Sequence, residues 1–375
     1  MDNSKPINWD KLEDDFENKR TVALFLGTGI DLGAPHGIDY SWDALLNHLL
    51  KYAVMQMLPA DDSGEQMANE MSSSARKLIK EIINEYSQNG EDEKAIKESL
   101  HELEEQIDFD SQFPRDVKTT IVKQTLGNEV YVKLIQDFLY GKLEKNDLEE
   151  AGNKYVGYLN NKAASKPEFF SLFSVADLIL RNRNISAVVT QNYDQFLCDA
   201  ILFLKNNLKY RDWVKKSQQE IREIIPNTIC DWKGHAEYTD KHLNIYHVHG
   251  FIPRYDEIQA PKGNRIVLSL DEFYEDSQNV YSWQIASQLH LLSQYTCIFC
   301  GLSLSDYTNQ RLLHYVKGKH HGNLYYITAG NANAKEIVRD SIKNKYHEKN
   351  GLAVLYDEQG YGHIYQLLGE LKYGK

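Results

Sequence analysis

Short apolar runs that stop abruptly at polar or glycine-rich loops constrain this chain more than any other feature. "TVALFL" at 21–26 runs into "GTGIDLGAP", "SAVVT" at 186–190 into "QNYD", and "YTCIFC" at 295–300 into "GLSLSD". Runs this short and this apolar suit strands buried on both faces. Helical periodicity separates them. "FFSLFSVADLILRNRN" and "DQFLCDAILFLKNNL" flank the second run. Further strands are expected at "NIYHVHG", "RIVLSL", "NLYYIT" and "LAVLYD". Further helices are expected at "SWQIASQLHLLSQ", "TNQRLLHYVKGK", "NAKEIVRDSIKNKYH" and "YGHIYQLLGEL". Such alternation predicts an α/β fold, a Rossmann-like doubly wound parallel sheet. Ligands of such sheets bind outside the carboxyl ends of the strands.

The alternation is interrupted early. "GTGIDLGAP" leads to the helical pattern "SWDALLNHLLKYAVMQM", and from 59 to 151 the chain turns charged and helical. At 375 residues the chain exceeds one core of ordinary size. The expected organisation is therefore a Rossmann-like domain from 1–58 and 152–375 with an inserted α-helical subdomain at 59–151.

Composition narrows the function classes. Hydrophobic content of 42% and charged content of 26% belong to a soluble globular protein. No apolar run is long enough to span a bilayer. The start, "MDNSKPINWDKLEDDFENKR", is acidic rather than a basic segment before an apolar one, so a cytoplasmic location is expected. A net charge of −12 argues against direct nucleic-acid binding. The stretch "LKNNLKYRDWVKKSQQEIR" reads as one solvated helix face, with a phosphate or partner contact as the other reading. Cys297 and Cys300 form a lone CxxC inside an apolar strand, which suits buried thiols better than a redox pair.

Four loops follow strands: "GTGIDLGAP", "TQNYD", "HVHG" and "CGLSLSD". A doubly wound fold brings all four to one crevice. The glycines of the first allow backbone to approach a pyrophosphate, or simply make a tight turn. Gly301, Ser303 and Ser305 repeat that logic in the last. His247 and His249 share a strand face. A metal pair is one reading, but zinc needs three or four ligands and no second cluster is spaced to supply them, so no zinc is expected. A core histidine is the bland reading, which His249 resists by standing before a glycine at a strand end.

Together and in this order, the four loops resemble the sirtuin family, which carries a GAG-type loop, a TQN-x-D stretch, an HG and a GTS-type loop. The resemblance implies NAD as substrate. It implies that Gly27, Thr28, Gly29, Ile30 and Asp31 line the pyrophosphate and nicotinamide end. Gln191 and Asn192 would hold the nicotinamide ribose, and Asp194 would face the carboxamide. His249 matches the catalytic histidine, with Asn192 as its catalytic companion. Gly301 and Ser303 would contact phosphate and adenosine ribose, and Thr328 a ribose.

Three departures bear on activity. The paired CxxC zinc module of the protein-deacylating sirtuins has no counterpart. Asp31 stands where a small hydroxyl residue is common. "APHGIDY" replaces the arginine-containing stretch of deacylases. The pattern looks like the divergent anti-phage branch, whose members consume NAD and in some cases pair with a HerA-like ATPase or an Argonaute-type partner. The implied function is an NAD+ glycohydrolase that depletes NAD in abortive infection, as a homo-oligomer or with such a partner. A protein deacylase or ADP-ribosyltransferase is the alternative, and a non-catalytic nucleotide sensor a further one.

Overall fold

The computed structural model describes residues 5–31, 33–57, 115–144, 146–162, 164–230, 241–254, 265–269, 272, 275, 278, 282–304, 307–330 and 334–371. Residues 59–114, most of the expected helical insertion, lie outside the described residues, as do Leu32, Leu58 and Ser305.

The strands are β1 (Val22–Leu26), β2 (Ile185–Thr190), β3 (Ile225–Ile229), β4 (His242–His247), β5 (Thr296–Cys300), β6 (Leu324–Ala329) and β7 (Ala353–Asp357). They form one parallel sheet in the order β3-β4-β2-β1-β5-β6-β7. Register fixes the centre: Leu24 stands between Val188 and Ile298, and Leu26 between Thr190 and Cys300. From β1 the chain builds outward to β2, then re-enters on the other side at β5. The gap beyond the carboxyl ends of β1 and β5 is therefore the topological switch point. All five residues of β1 are buried, which explains its lack of any polar alternation.

The helices are α1 (Trp9–Glu17), α2 (Trp42–Met57), α3 (Arg115–Tyr140), α4 (Asp147–Asn160), α5 (Phe170–Arg181), α6 (Phe196–Asn206), α7 (Leu208–Lys216), α8 (Trp283–Gln294), α9 (Tyr307–Val316), α10 (Ala334–Lys349) and α11 (Tyr361–Leu368). On one face of the sheet, Phe25, Val189, Phe299 and Tyr326 share a core with Ile285 and Leu292 of α8 and Leu312 and Val316 of α9. Among the helices, α5 packs against α6 and α11, and every residue from Phe170 to Arg181 is buried. A helix buried on every side belongs inside a layer.

The chain folds as two compact units. The first comprises 1–41, 139–267 and 271–375 and contains the whole sheet. The second comprises 42–138 and 268–270, and its described part between 42 and 138 is helical. Among the described residues no helix is long and apolar enough to cross a membrane.

Three local expectations are corrected. Residues 265–268 join no sheet. Val267 N donates to His249 O at 2.9 Å and Val267 O accepts from Tyr193 Oη at 2.6 Å, so this segment bonds to loops instead of a ladder. β3 appears where no strand was expected. It is an edge strand, which tolerates Pro226 and leaves Ile225 about half exposed. The basic stretch after Leu204 is solvated at Lys209, Arg211, Lys215 and Lys216, as expected, but it spans two helices and not one. Asn207 breaks it and accepts from Tyr210 N at 3.0 Å, Tyr210 and Val214 are buried, and Arg222 Nη1 reaches the carbonyls of Asn182 and Ile185 at 3.0 and 2.7 Å.

Candidate functional site

The loop after β1 folds as a tight turn over Thr28–Ile30. Gly27 N donates to Cys300 O and Gly29 N to Gly301 O, each at 3.0 Å, while Ile30 N and Asp31 N close the turn on Gly27 O and Thr28 O. This loop is thereby zipped to the loop after β5. A Cβ on Gly29 would fall 2.6 Å from Gly301 Cα. Gly301 itself has φ +66°, and a Cβ there would fall 2.6 Å from Ile30 N. The close approach that demands glycine is thus between two protein loops at the switch point. The turn carries the Asp31 carboxylate inward, where it is 1% exposed.

The tip of β2 meets that carboxylate. Gln191 N continues the ladder to Leu26 O at 3.0 Å. Asn192 N then turns back to Thr190 Oγ1 at 3.1 Å, which aims the side chain across the strand ends. Asn192 Nδ2 donates to Asp31 Oδ2 at 2.7 Å, joining residues 161 apart in sequence. A hydrogen bond of this kind is worth about 0.5–1.5 kcal/mol net. Two residues on, Asp194 Oδ1 accepts from Phe196 N at 3.0 Å at the start of α6.

β4 contributes a histidine from the other side. His247 pairs in register with Thr190, and its Nδ1 lies 3.1 Å from the Asn192 carbonyl oxygen. A carbonyl only accepts, so Nδ1 carries the proton and Nε2 is left as an acceptor. The ring packs edge-on to Phe251. Burial pushes the imidazole down to about 4, against the Asn192 carbonyl, so it is neutral at ordinary pH. His249 lies just past the strand end, 8% exposed, and its carbonyl accepts from Val267 N.

Electrostatics single this corner out. Burial pushes the Asp194 carboxyl up to about 6. Burial, and then the charge of Asp194, push Asp31 well above the carboxylate range, while the bond from Asn192 pulls it back. Three buried atoms linked through Asn192 have no hydrogen-bond partner among the described residues: Asp31 Oδ1, Asn192 Oδ1 and His247 Nε2. Asn192 Oδ1 and His247 Nε2 are acceptors, and Asp31 Oδ1 accepts when ionised and donates when protonated. A donor-rich or cationic group satisfies such a set, and the ribose hydroxyls and pyridinium of NAD are groups of that kind.

A tyrosine network holds these loops. Tyr140 Oη donates to Ile252 O at 2.8 Å and accepts from Gln195 N at 2.9 Å, and Ile252 N donates to Tyr193 O at 2.7 Å.

The expected site residues thus divide. Gly27, Gly29 and Gly301 meet backbone to backbone, with Thr28 and Ile30 in the same turn. Asp31, Asn192 and Asp194 form the buried polar corner. Gln191 Nε2 donates to Asn309 Oδ1 on α9 at 2.9 Å. Ser303 is exposed in the loop after β5. Thr328 is buried near the carboxyl end of β6, beside Tyr356 of β7. His247 was legible only as half of a metal pair, and its place against Asn192 had no sequence signal beyond proximity to "HG". Asn309 and Tyr140 had none.

Among the described residues no three His, Cys, Asp or Glu side chains are grouped to hold a metal. Cys297 and Cys300 lie three apart in one strand and so face opposite sides of the sheet. Both are buried free thiols whose burial pushes them up, a structural pair and not a redox one.

Residues 186–355 match the family model described as SIR2-like domain. The match begins in β2 and ends in β7, so Asn192, Asp194, His247, His249 and Gly301 fall within it, and β1 with the loop carrying Asp31 precedes it. Comparison with curated proteins gives no match. From 186 to 355 the chain is therefore similar to a SIR2-like domain, and these residues belong to a Rossmann-like α/β sheet.

Proposed function

We propose that the protein is an NAD+ glycohydrolase that cleaves the bond between nicotinamide and ribose to give nicotinamide and ADP-ribose. The observation that carries this reading is the buried chain Asp31–Asn192–His247 at the ends of β1, β2 and β4, beside the switch point. Its free acceptor atoms suit the hydroxyls of a ribose. Burial and the charge of Asp194 raise Asp31, and a pyridinium or an oxocarbenium-like ribose placed there favours the ionised carboxyls.

In this mechanism the leaving group is already cationic, so departure of nicotinamide needs no acid. Asn192 orients the ribose or the incoming water. His249 accepts the proton that water releases as it bonds to the anomeric carbon, so ADP-ribose, nicotinamide and one proton are the products. Base assistance contributes about 10²–10⁴-fold, and positioning and the buried carboxylates supply the rest.

The test is nicotinamide and ADP-ribose release from NAD+ by purified protein, identified by mass spectrometry. Asn192→Ala and His249→Ala are each expected to lose about 10²–10⁴-fold while remaining folded. Wild-type rates in both would end the assignment, and acyl-peptide-dependent turnover would replace it with a deacylase.

The wider reading, an anti-phage effector acting as a homo-oligomer or with a HerA-like ATPase or other operon-encoded partner, rests on the sequence resemblance. A strict monomer by light scattering, inactive and unbound with such an ATPase, would remove it.

A further inference from the structure

We infer that Asp31 is a positioning residue that fixes the polarity of the Asn192 amide, so that Asn192 offers its ligand an acceptor oxygen and never a donor. The inference rests on the glycohydrolase reading only for the identity of the ligand. Asp31 Oδ2 lies 2.7 Å from Asn192 Nδ2, and both residues are buried, at 1% and 4% exposure. Asp31 Oδ2 is the acceptor in this bond, so the nitrogen end of the amide faces it, and a proton held by the raised Asp31 carboxyl belongs on Oδ1, which has no partner among the described residues. The amide has two ends, and tying one decides the other. Asn192 Oδ1 is left buried and without a partner among the described residues.

Backbone contacts hold the lock from both sides. The Asn192 peptide is fixed by Thr190 Oγ1 on its N–H and by His247 Nδ1 on its carbonyl. Asp31 is fixed by its own N–H to Thr28 O, in the turn that Gly301 clamps. A free asparagine amide can turn over and present its NH2 group instead. A donor there would turn a ribose hydroxyl or an attacking water so that its oxygen lone pair faces Asn192, and would place partial positive charge beside a developing cation. The group recognised at Asn192 must therefore be a hydrogen-bond donor: a sugar hydroxyl or water.

Asp31→Asn keeps shape and loses the lock, because asparagine can pair with either end of the Asn192 amide. Asn192→Asp sets two carboxylates face to face. The swap, Asp31→Asn with Asn192→Asp, restores one N–H···O bond with its direction reversed, and residue 192 again has an acceptor oxygen to offer. With NAD+ as substrate, Asp31→Asn is expected to lower kcat about 10²-fold with little change in KM. The swap is expected to be markedly faster than Asn192→Asp alone. An isolated effect on folding would move stability and leave no such rescue. A folded Asp31→Asn protein with wild-type kcat, or a folded swap no faster than Asn192→Asp, overturns the inference.

A second measurement needs no substrate. With ¹⁵N-asparagine labelling, the Asn192 side-chain amide protons are expected to exchange slowly in the wild type and faster in Asp31→Asn. Equal exchange overturns the lock even in an active enzyme. Absence of nicotinamide release from the wild type would sink the glycohydrolase reading and leave this measurement to decide the lock.

Discussion

Asp194 holds a proton more tightly in the fold than an ordinary aspartate does, at about 6 against 3.8, because it is buried. The sign of the consequence follows from linkage. Between about pH 4 and 6 the folded chain keeps a proton that the unfolded chain has released, so stability present below pH 4 is lost as pH rises to 6. His247 works the other way. Its folded value of about 4 lies below the ordinary 6.5, so its contribution is complete above 6.5 and fades as pH falls towards 4. The two partly cancel, and the wild type alone conceals both. Asp194→Asn retains an oxygen for Phe196 N and removes one of them. The variant is expected to gain on the wild type progressively from pH 4 to 6 and to stay ahead above it, as read from urea midpoints at several pH values. A difference that does not change with pH would rule this titration out. At this scale "TQNYD" announced Asn192 and Asp194 through their types and their place after a strand. It said nothing of His247, whose role depends on which carbonyl its ring meets, 55 residues away in sequence.

The helix layer shows where periodicity succeeds. α5 was legible because its apolar residues recur at helical spacing. Its two charged residues look like noise in that pattern until the fold pairs them. Asp177 accepts from Arg181 Nε and Nη2 at 2.6 and 2.7 Å and from Tyr210 Oη at 2.6 Å, with Tyr155 Oη at 3.3 Å. Arg181 also reaches Gly369 O and Gln219 Oε1. One carboxylate thus gathers α4, α5 and α7, and its arginine ties in the chain just after α11. The Asp177 side chain is wholly buried. Asp177→Ala strands a buried guanidinium and two tyrosine hydroxyls, and is expected to cost about 3–5 kcal/mol in denaturant unfolding. Asp177→Leu with Arg181→Met removes both charges and is expected to cost less than the single change. A single variant as stable as the wild type would deny the pair this role. β3 is the opposite case. Its "IPNTI" carries a proline and an asparagine, and only its position at the sheet edge makes them tolerable, which no local pattern reveals.

At the scale of the molecule, the span that matches a SIR2-like domain is not the span that folds. The match starts at residue 186, yet the strand lying between β2 and β5 is β1, from residues 22–26. Alternating strands and helices made the parallel sheet legible. They could not show that its first strand sits at the centre, because strand order is set by which edges pair and not by chain order. The energetic weight of that strand is large. Val22, Leu24, Phe25 and Leu26 are at most 2% exposed, and burying four such side chains contributes about 6–12 kcal/mol. That is comparable to the whole net stability of a domain. Removing β1 also leaves β2 and β5 each with an unpaired central edge, and takes away Asp31 and the turn that Gly301 packs against. Residues 186–355 expressed alone are therefore expected to show no cooperative thermal unfolding and to aggregate. Residues 5–41 co-expressed with 139–375 restore both ladders of β1, and are expected to co-purify and melt as one unit. A fragment 186–355 that melts cooperatively, with slow amide exchange along β2 and β5, would show that the sheet does not depend on its central strand.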